Sequence, residues 1–425
     1  MLSRLEYIHS VNAAMSAIVK AIFNSQQEQT ALMLSNIKAI IRDWSVSATV
    51  SGGIAVLIGF ASAMAIVLQA GQAAGAYPQI LESWIWALGI GMGVGCIGLS
   101  AYYKRPIIIV WSTPGAALLA TSLMGATIEQ ATGIFIFVAI LSILVGVTGA
   151  FQKLTSYIPL PIASALLAGV LLQFGLQIFT SFALNPPLVG IMLGVYLLTK
   201  RVLPRYAIVC VFLVGIIVTV FQGQLATENL TLKLTTPIWV TPEFDINLLI
   251  GIGIPLFIVT MTSQNLPGIA VLKTSGYEKQ SISPILTTVG GINLVLAPFG
   301  GFTFNLAAIT AAICTSEEAH PDKNKRYIAG IAAGIFNIIA GLLGAAVVAL
   351  FASFPMAFIS ALAGIALLGA IANSLNTAFV EPVYREAALV TFLMSASGIS
   401  FFEIAASFWG VVFSLIVLAF QRVRH

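Results

Sequence analysis

Charge is scarce in this chain. Asp, Glu, Lys and Arg make up 8% of its 425 residues, while 59% are hydrophobic and the mean hydropathy is +1.02. A soluble domain carries about 25% charged residues, so the composition excludes a soluble enzyme and places the chain in a lipid bilayer as a polytopic protein. Cysteine is nearly absent too. Cys96, Cys210 and Cys314 lie in or beside apolar spans without CxxC spacing. That excludes a disulfide scaffold or a thiolate metal site, and they read as small hydrophobic residues. His9, His320 and His425 are scattered, so neither a metal nor another cofactor is expected. The net charge of +4 sits in loops and calls for no nucleic-acid partner. Residues 1–45 lack a compact apolar core, and no cleavable signal peptide is expected.

What is present is a succession of apolar spans. They run over 47–70, 83–103, 107–124, 130–151, 159–181, 186–199, 206–222, 246–270, 283–299, 302–314, 327–352, 355–371, 385–400 and 402–421, fourteen in all. Several fall short of the ~20 residues of a full crossing. With the N-terminus in the cytoplasm and strict alternation, all of the 19 Lys and Arg except Lys233 fall on the cytoplasmic side. That asymmetry is the expected one, and it puts both termini inside. Residues 1–44 carry Val11, Met15, Ile18 and Ile22 at helical spacing and read as a cytoplasmic amphipathic extension on the membrane. Residues 223–245, with Glu228, Glu243 and Asp245, read as an outside linker, and 422–425 as a cytoplasmic tail.

Spans 3 and 10 are unlike the rest. Residues 104–118 contain Trp111-Ser112-Thr113-Pro114-Gly115, and residues 297–309 contain Phe299-Gly300-Gly301-Phe302-Thr303-Phe304-Asn305. Each reads as extended first, over 107–111 and 299–303, then breaks into a short helix of small residues. Free backbone at membrane depth is tolerated only where it lines a cavity, and paired broken spans point to a transporter's binding site. Their separation by seven spans suggests two seven-span repeats, 45–222 and 246–421. An odd number of crossings makes the second repeat inverted. Two half-helix N-termini then converge near the midplane, each with unpaired N–H groups and about +0.5 charge, a setting for an anion. The alternative, that Pro114 and Gly300-Gly301 merely kink two ordinary helices, makes the matched positions a coincidence.

These stretches resemble the benzoate–proton symporter family. So do Thr260-Met261-Thr262-Ser263-Gln264-Asn265-Leu266-Pro267-Gly268, Gly290-Gly291-Ile292-Asn293-Leu294 and Cys314-Thr315-Ser316-Glu317-Glu318-Ala319-His320-Pro321-Asp322. The resemblance covers roughly 45–420. That family is similar in turn to the uracil-permease and sulfate-transporter fold. The likeness implies an all-α membrane protein with a core domain (45–157 and 246–353) and a gate domain (158–222 and 354–421), working by elevator-type alternating access. A homodimer fits the fold. It also implies an inner-membrane importer of benzoate, or a similar aromatic carboxylate, together with H⁺. One departure matters. Nucleobase transporters of this fold carry glutamates on spans 8 and 10, whereas here the matching stretches, Ser263-Gln264-Asn265 and Thr303 to Thr310, hold no acid. A glutamate would repel a carboxylate, so neutral donors favour an organic anion over a nucleobase.

The candidate substrate-binding residues are Ser112, Thr113, Pro114, Gly115, Ser263, Gln264, Asn265, Phe302, Thr303, Phe304 and Asn305. Ser112 and Thr113 suit either a helix cap or a ligand donor, and Thr303 and Asn305 hold the corresponding place in span 10. Gln264 and Asn265 are buried amides that need partners; they either hold the broken helices together or face the substrate. Phe302 and Phe304 either pack or stack on an aromatic ring. Proton-coupling candidates are Glu129, Glu317, Glu318 and Glu403. Two rival readings stand: a sulfate- or bicarbonate-type transporter of the same fold, and a membrane enzyme or scaffold. The former often carries a soluble C-terminal domain, and the chain here ends at His425 after span 14. No nucleophile–base pattern supports the enzyme, and a scaffold needs no broken spans.

Overall fold

A computed structural model describes residues 38–151, 153, 159–226, 233–399, 401 and 404–423. It divides into two compact units, Met1–Val46 and Ser47–His425. Within the first unit, Arg42 pairs with Asp43 at 3.0 Å. The amphipathic pattern expected over Val11 to Ile22 lies outside the described residues, as does Glu403.

The second unit is a succession of helices with two short strands. The first half holds α1 (Val46–Ala73), α2 (Pro78–Tyr103), β1 (Ile109–Trp111), α3 (Thr113–Ser122), α4 (Ile128–Thr148), α5 (Leu160–Leu184), α6 (Pro186–Val202) and α7 (Ala207–Phe221). The second half opens on α8 (Ile246–Thr274), which contains two π-helical stretches, Leu249–Gly253 and Met261–Asn265. There follow α9 (Ser283–Leu296), β2 (Phe304–Leu306), α10 (Ile309–Thr315), α11 (Tyr327–Leu342), α12 (Gly344–Ala352), α13 (Met356–Val380), α14 (Arg385–Ser397) and α15 (Ala406–Val423). Among the described residues, seven helices are long and apolar enough to cross a membrane, and α7, α9 and α15 are shorter apolar helices.

Local chemistry sets the boundaries. Pro78 and Pro186 occupy first helical turns, where the missing N–H costs nothing. Thr127 and Gln130 form a reciprocal capping box at the start of α4, and Gly149 ends that helix at φ 66. The helices then pair closely: α2 on α11, α4 on α9, α5 on α13 and α14, α6 on α7, and α14 on α15. At Gly89 on α2 an added Cβ would lie 2.4 Å from the Cα of Gly341. Small residues permit such approach, and association in lipid rests on close packing.

The two strands form an antiparallel ribbon inside this helical body. Ile109 faces Leu306, Val110 faces Asn305 and Trp111 faces Phe304. Two flanking bonds extend it, from Ser112 N to Thr303 O at 3.1 Å and from Ala307 N to Ile108 O at 2.9 Å. Neither broken span is a continuous helix. Span 10 differs in register from the expectation: its extended strand is 304–306, not 299–303. The physical reason lies at Gly300, which takes φ 94 where an added Cβ would come 1.8 Å from Trp84 Cδ1. Only glycine turns there, so the chain makes a 3₁₀ turn over Ala297–Phe299 and becomes a strand only past Thr303.

A buried ribbon must satisfy its outer edges. Ser100 Oγ on α2 accepts from Ile107 N at 3.1 Å and donates to Ile107 O at 3.0 Å. Cys96 Sγ, one turn earlier, accepts from Ile109 N at 3.1 Å and donates to Ile109 O at 3.4 Å. Cys96 is therefore more than a small apolar filler. Cys96→Ala is expected to lower stability by about 1–3 kcal/mol, the cost of an unsatisfied buried donor, whereas Cys96→Ser keeps a donor and acceptor in place and stays closer to wild type. Thermal unfolding of the purified variants checks this; equal midpoints for alanine and wild type would remove the role.

Candidate functional site

A cavity of about 580 Å³ lies where the ribbon meets α1, α3, α5, α8 and α13. The start of α3 forms part of its wall through Thr113 and Pro114. Ser112 caps that helix, its Oγ accepting from Gly115 N at 3.0 Å, and takes a weaker bond from Thr260 Oγ1 at 3.4 Å. Gly115 is buried behind Ser112, with Leu256 packed against it. Ser112 and Gly115 thus shape the half-helix, and Thr113 and Pro114 present it.

The second half contributes differently. Ser263 and Gln264 line the cavity from the second π-helical stretch of α8, in keeping with the frequent use of π-bulges at functional sites. Ser263 donates to the Val259 carbonyl. Asn265 turns away: its Oδ1 accepts from Leu306 N at 3.1 Å and its Nδ2 donates to Thr260 O at 3.4 Å. The adjacent amides therefore divide the two roles, Gln264 on the cavity wall and Asn265 fastening α8 to β2.

Thr303 and Asn305 do not stand at the half-helix N-terminus where the sequence pattern puts them. Asn305 is within β2, fully buried, with Nδ2 donating to Thr303 O at 2.8 Å. Thr303 is held at φ 34. The segment of span 10 that reaches the cavity is Ala307 to Thr310. Phe302 is buried between Trp84 and Phe135, with ring centroids 5.8 and 5.6 Å away, and Phe304 fills the space over Gly91. The aromatic surface on the cavity comes instead from Phe60 and Trp111, edge to face at 4.9 Å.

Among the described residues, the charged side chain lining this cavity is Lys200, and no acid does so. Glu129 is exposed in the first turn of α4, and Glu317 and Glu318 are exposed in the turn after α10. A second cavity of about 460 Å³ adjoins the other end of α3, at Thr121 and Ser122, and is lined by Asp245, Gln173 and Ser395. Asp245 caps α8, accepting from Asn247 N at 2.8 Å and Leu248 N at 3.1 Å. Sequence pattern had singled out neither Lys200 nor Phe60 for the site. Each looks ordinary in one dimension, a basic residue at a helix end and an aromatic in an apolar span.

A model of the benzoate membrane transport protein family matches residues 42–420. The chain belongs to this family. It is 45% identical over 362 residues to the inner membrane protein YdcO of Escherichia coli (strain K12), an alignment covering 85% of this chain and 92% of that one. It is 40% identical over 384 residues to the benzoate membrane transport protein of Acinetobacter baylyi, covering 90% and 97%. The fold resembles that of the SLC26A9 structure, with TM-score 0.59 at 14% identity over 90% of this chain and 66% of that one. It also resembles the transmembrane domain of the cyanobacterial bicarbonate transporter BicA, with TM-score 0.55 at 15% identity over 87% and 96%. Membership makes the chain a membrane transport protein rather than an enzyme.

Proposed function

We propose that this protein imports benzoate, or a closely similar aromatic carboxylate, across the inner membrane together with protons. The observation that carries the reading is the make-up of the larger cavity. It pairs an aromatic corner, Phe60 and Trp111, with the α3 N-terminus, neutral donors and one lysine. The ring suits the aromatic pair, and the carboxylate suits a wall without described acids at the positive end of the α3 dipole. The name of the Acinetobacter relative points the same way. A small inorganic anion, as in the bicarbonate transporter neighbour, is the second reading, but it has no use for the aromatic pair.

Energetics support coupling. Moving one negative charge into a negative interior costs about 2.3 kcal/mol per 100 mV. One accompanying proton cancels that cost, and a further one makes uptake electrogenic and favourable.

We read the transport cycle as alternating access between a core (α1–α4 with α8–α12) and a gate (α5–α7 with α13–α15), in fourteen crossings with both termini cytoplasmic. Several observations support this. Exchanging each span of the first half with its counterpart in the second turns the α2–α11 contact into the α9–α4 contact and maps the α5–α13 and β1–β2 contacts onto themselves. An inverted repeat has that property. The two cavities flank opposite ends of α3, and α3, α5 and α8 line both. A homodimer is compatible with this arrangement.

The test is uptake of labelled benzoate into proteoliposomes with an imposed pH gradient, repeated with a sodium gradient. Accumulation driven by external acid is expected. Drive by sodium alone would overturn proton coupling, and bicarbonate uptake without benzoate uptake would move the assignment to the second reading.

A further inference from the structure

We propose that Lys200, with Asn373, forms a second anion station at the mouth of the cavity, where the carboxylate is held on entering or leaving the aromatic corner. The proposal rests on the functional reading above and adds a place to it.

Lys200 lies in the last turn of α6. It makes no hydrogen bond, ion pair or ring contact with any described residue. A lysine at a helix end ordinarily reaches for lipid headgroups. Two observations argue for a different use. The side chain lines the cavity, where no described acid neutralises it. Its Nζ also lies over α13: an added Cβ at Gly369 would come 3.9 Å from it. Gly369, Asn373 and Thr377 follow at i, i+4 and i+8, one face of a helix, and all three line the same cavity. A cation lying over a glycine, with the Asn373 amide along the same row, matches the oxygens of a carboxylate, while the Thr377 hydroxyl donates to Asn373 O at 2.9 Å. Charge-assisted bonds of this kind are the strong ones. The station belongs to helices of the proposed gate, whereas Thr113, Pro114 and Gln264 belong to the proposed core. An anion that reaches the aromatic corner by way of this station therefore meets the gate before the core.

The test titrates full-length purified protein with benzoate by calorimetry at pH 8, at low and high salt, for wild type, Lys200→Gln, Lys200→Arg and Gly369→Leu. Lys200→Gln is expected to bind about tenfold more weakly at low salt, with the gap narrowing at high salt. Lys200→Arg keeps the charge and stays near wild type. Gly369→Leu fills the space beside the ammonium and weakens binding while the lysine remains. Benzoate affinity unchanged in Lys200→Gln assigns the ammonium to lipid and overturns the proposal, as does Lys200→Arg binding as weakly as Lys200→Gln. Wild-type protein that binds no benzoate would instead overturn the functional reading, and the station with it.

Discussion

Thr113→Glu is expected to abolish benzoate uptake in a protein that still folds and inserts. Thr113 is the first residue of α3, half-buried on the cavity wall, behind the Ser112 cap. A carboxylate in the first turn of a helix is favourable for the helix itself, by about 0.3–1 kcal/mol, so folding is not threatened. The same carboxylate would face the substrate. Two like charges about 4 Å apart repel by roughly 4 kcal/mol at an effective dielectric of 20, and that is close to a thousandfold in affinity. Thr113→Gln adds similar bulk without charge and should keep most of the uptake. The measurement is initial benzoate uptake in proteoliposomes at pH 8, with insertion checked by size-exclusion profile. Normal uptake by Thr113→Glu would mean that the substrate carboxylate does not approach α3.

Gly89→Leu should act at the opposite level, by preventing assembly. An added Cβ at Gly89 would lie 2.4 Å from Gly341 Cα and 2.6 Å from Asn337 O, both backbone atoms of or next to α11. Neither can swing away as a side-chain end does. The α2–α11 pair would have to separate, and overpacking of this kind costs about 1–3 kcal/mol or more. The loss propagates to function, because Cys96 and Ser100 on α2 hold the outer edge of β1 and Asn337 lines the cavity. Gly98, on the same helix with open space beside it, is the control: Gly98→Leu should be tolerated. Yield of monodisperse protein and its unfolding midpoint report the difference. Equal behaviour of the two variants would contradict the tight α2–α11 packing.

The broken spans show how far pattern reaches. Trp111-Ser112-Thr113-Pro114 announced an extended stretch and a capped helix, and both are present because each signal is local: proline at the first turn, serine at the cap. Span 10 offered weaker punctuation. Gly300-Gly301 marked a break, but the strand starts only at Phe304. The delay depends on Trp84, a residue of α2 far away in the chain, which fills the space where a side chain at position 300 would stand. No local signal contains that neighbour.

The same division runs through the site. Composition alone determined that the chain lives in a bilayer, since so few charges and so many apolar residues have no soluble solution. Motifs determined that two spans break and that the polar residues near the breaks are neutral, because backbone freed at membrane depth and a missing acid are both visible in one dimension. Which of those residues reach the cavity was decided only by tertiary packing. Gln264 and Asn265 are neighbours in sequence, yet one lines the cavity and the other binds Leu306 N. Phe302 is sealed among Trp84 and Phe135, while Phe60 and Trp111 from two other segments supply the aromatic wall. The reason is geometric: a cavity is bounded by whichever faces remain after the helices have buried their small-residue surfaces against one another. Those faces are set by close contacts between distant segments, Gly89 on Gly341 and Gly300 on Trp84 among them.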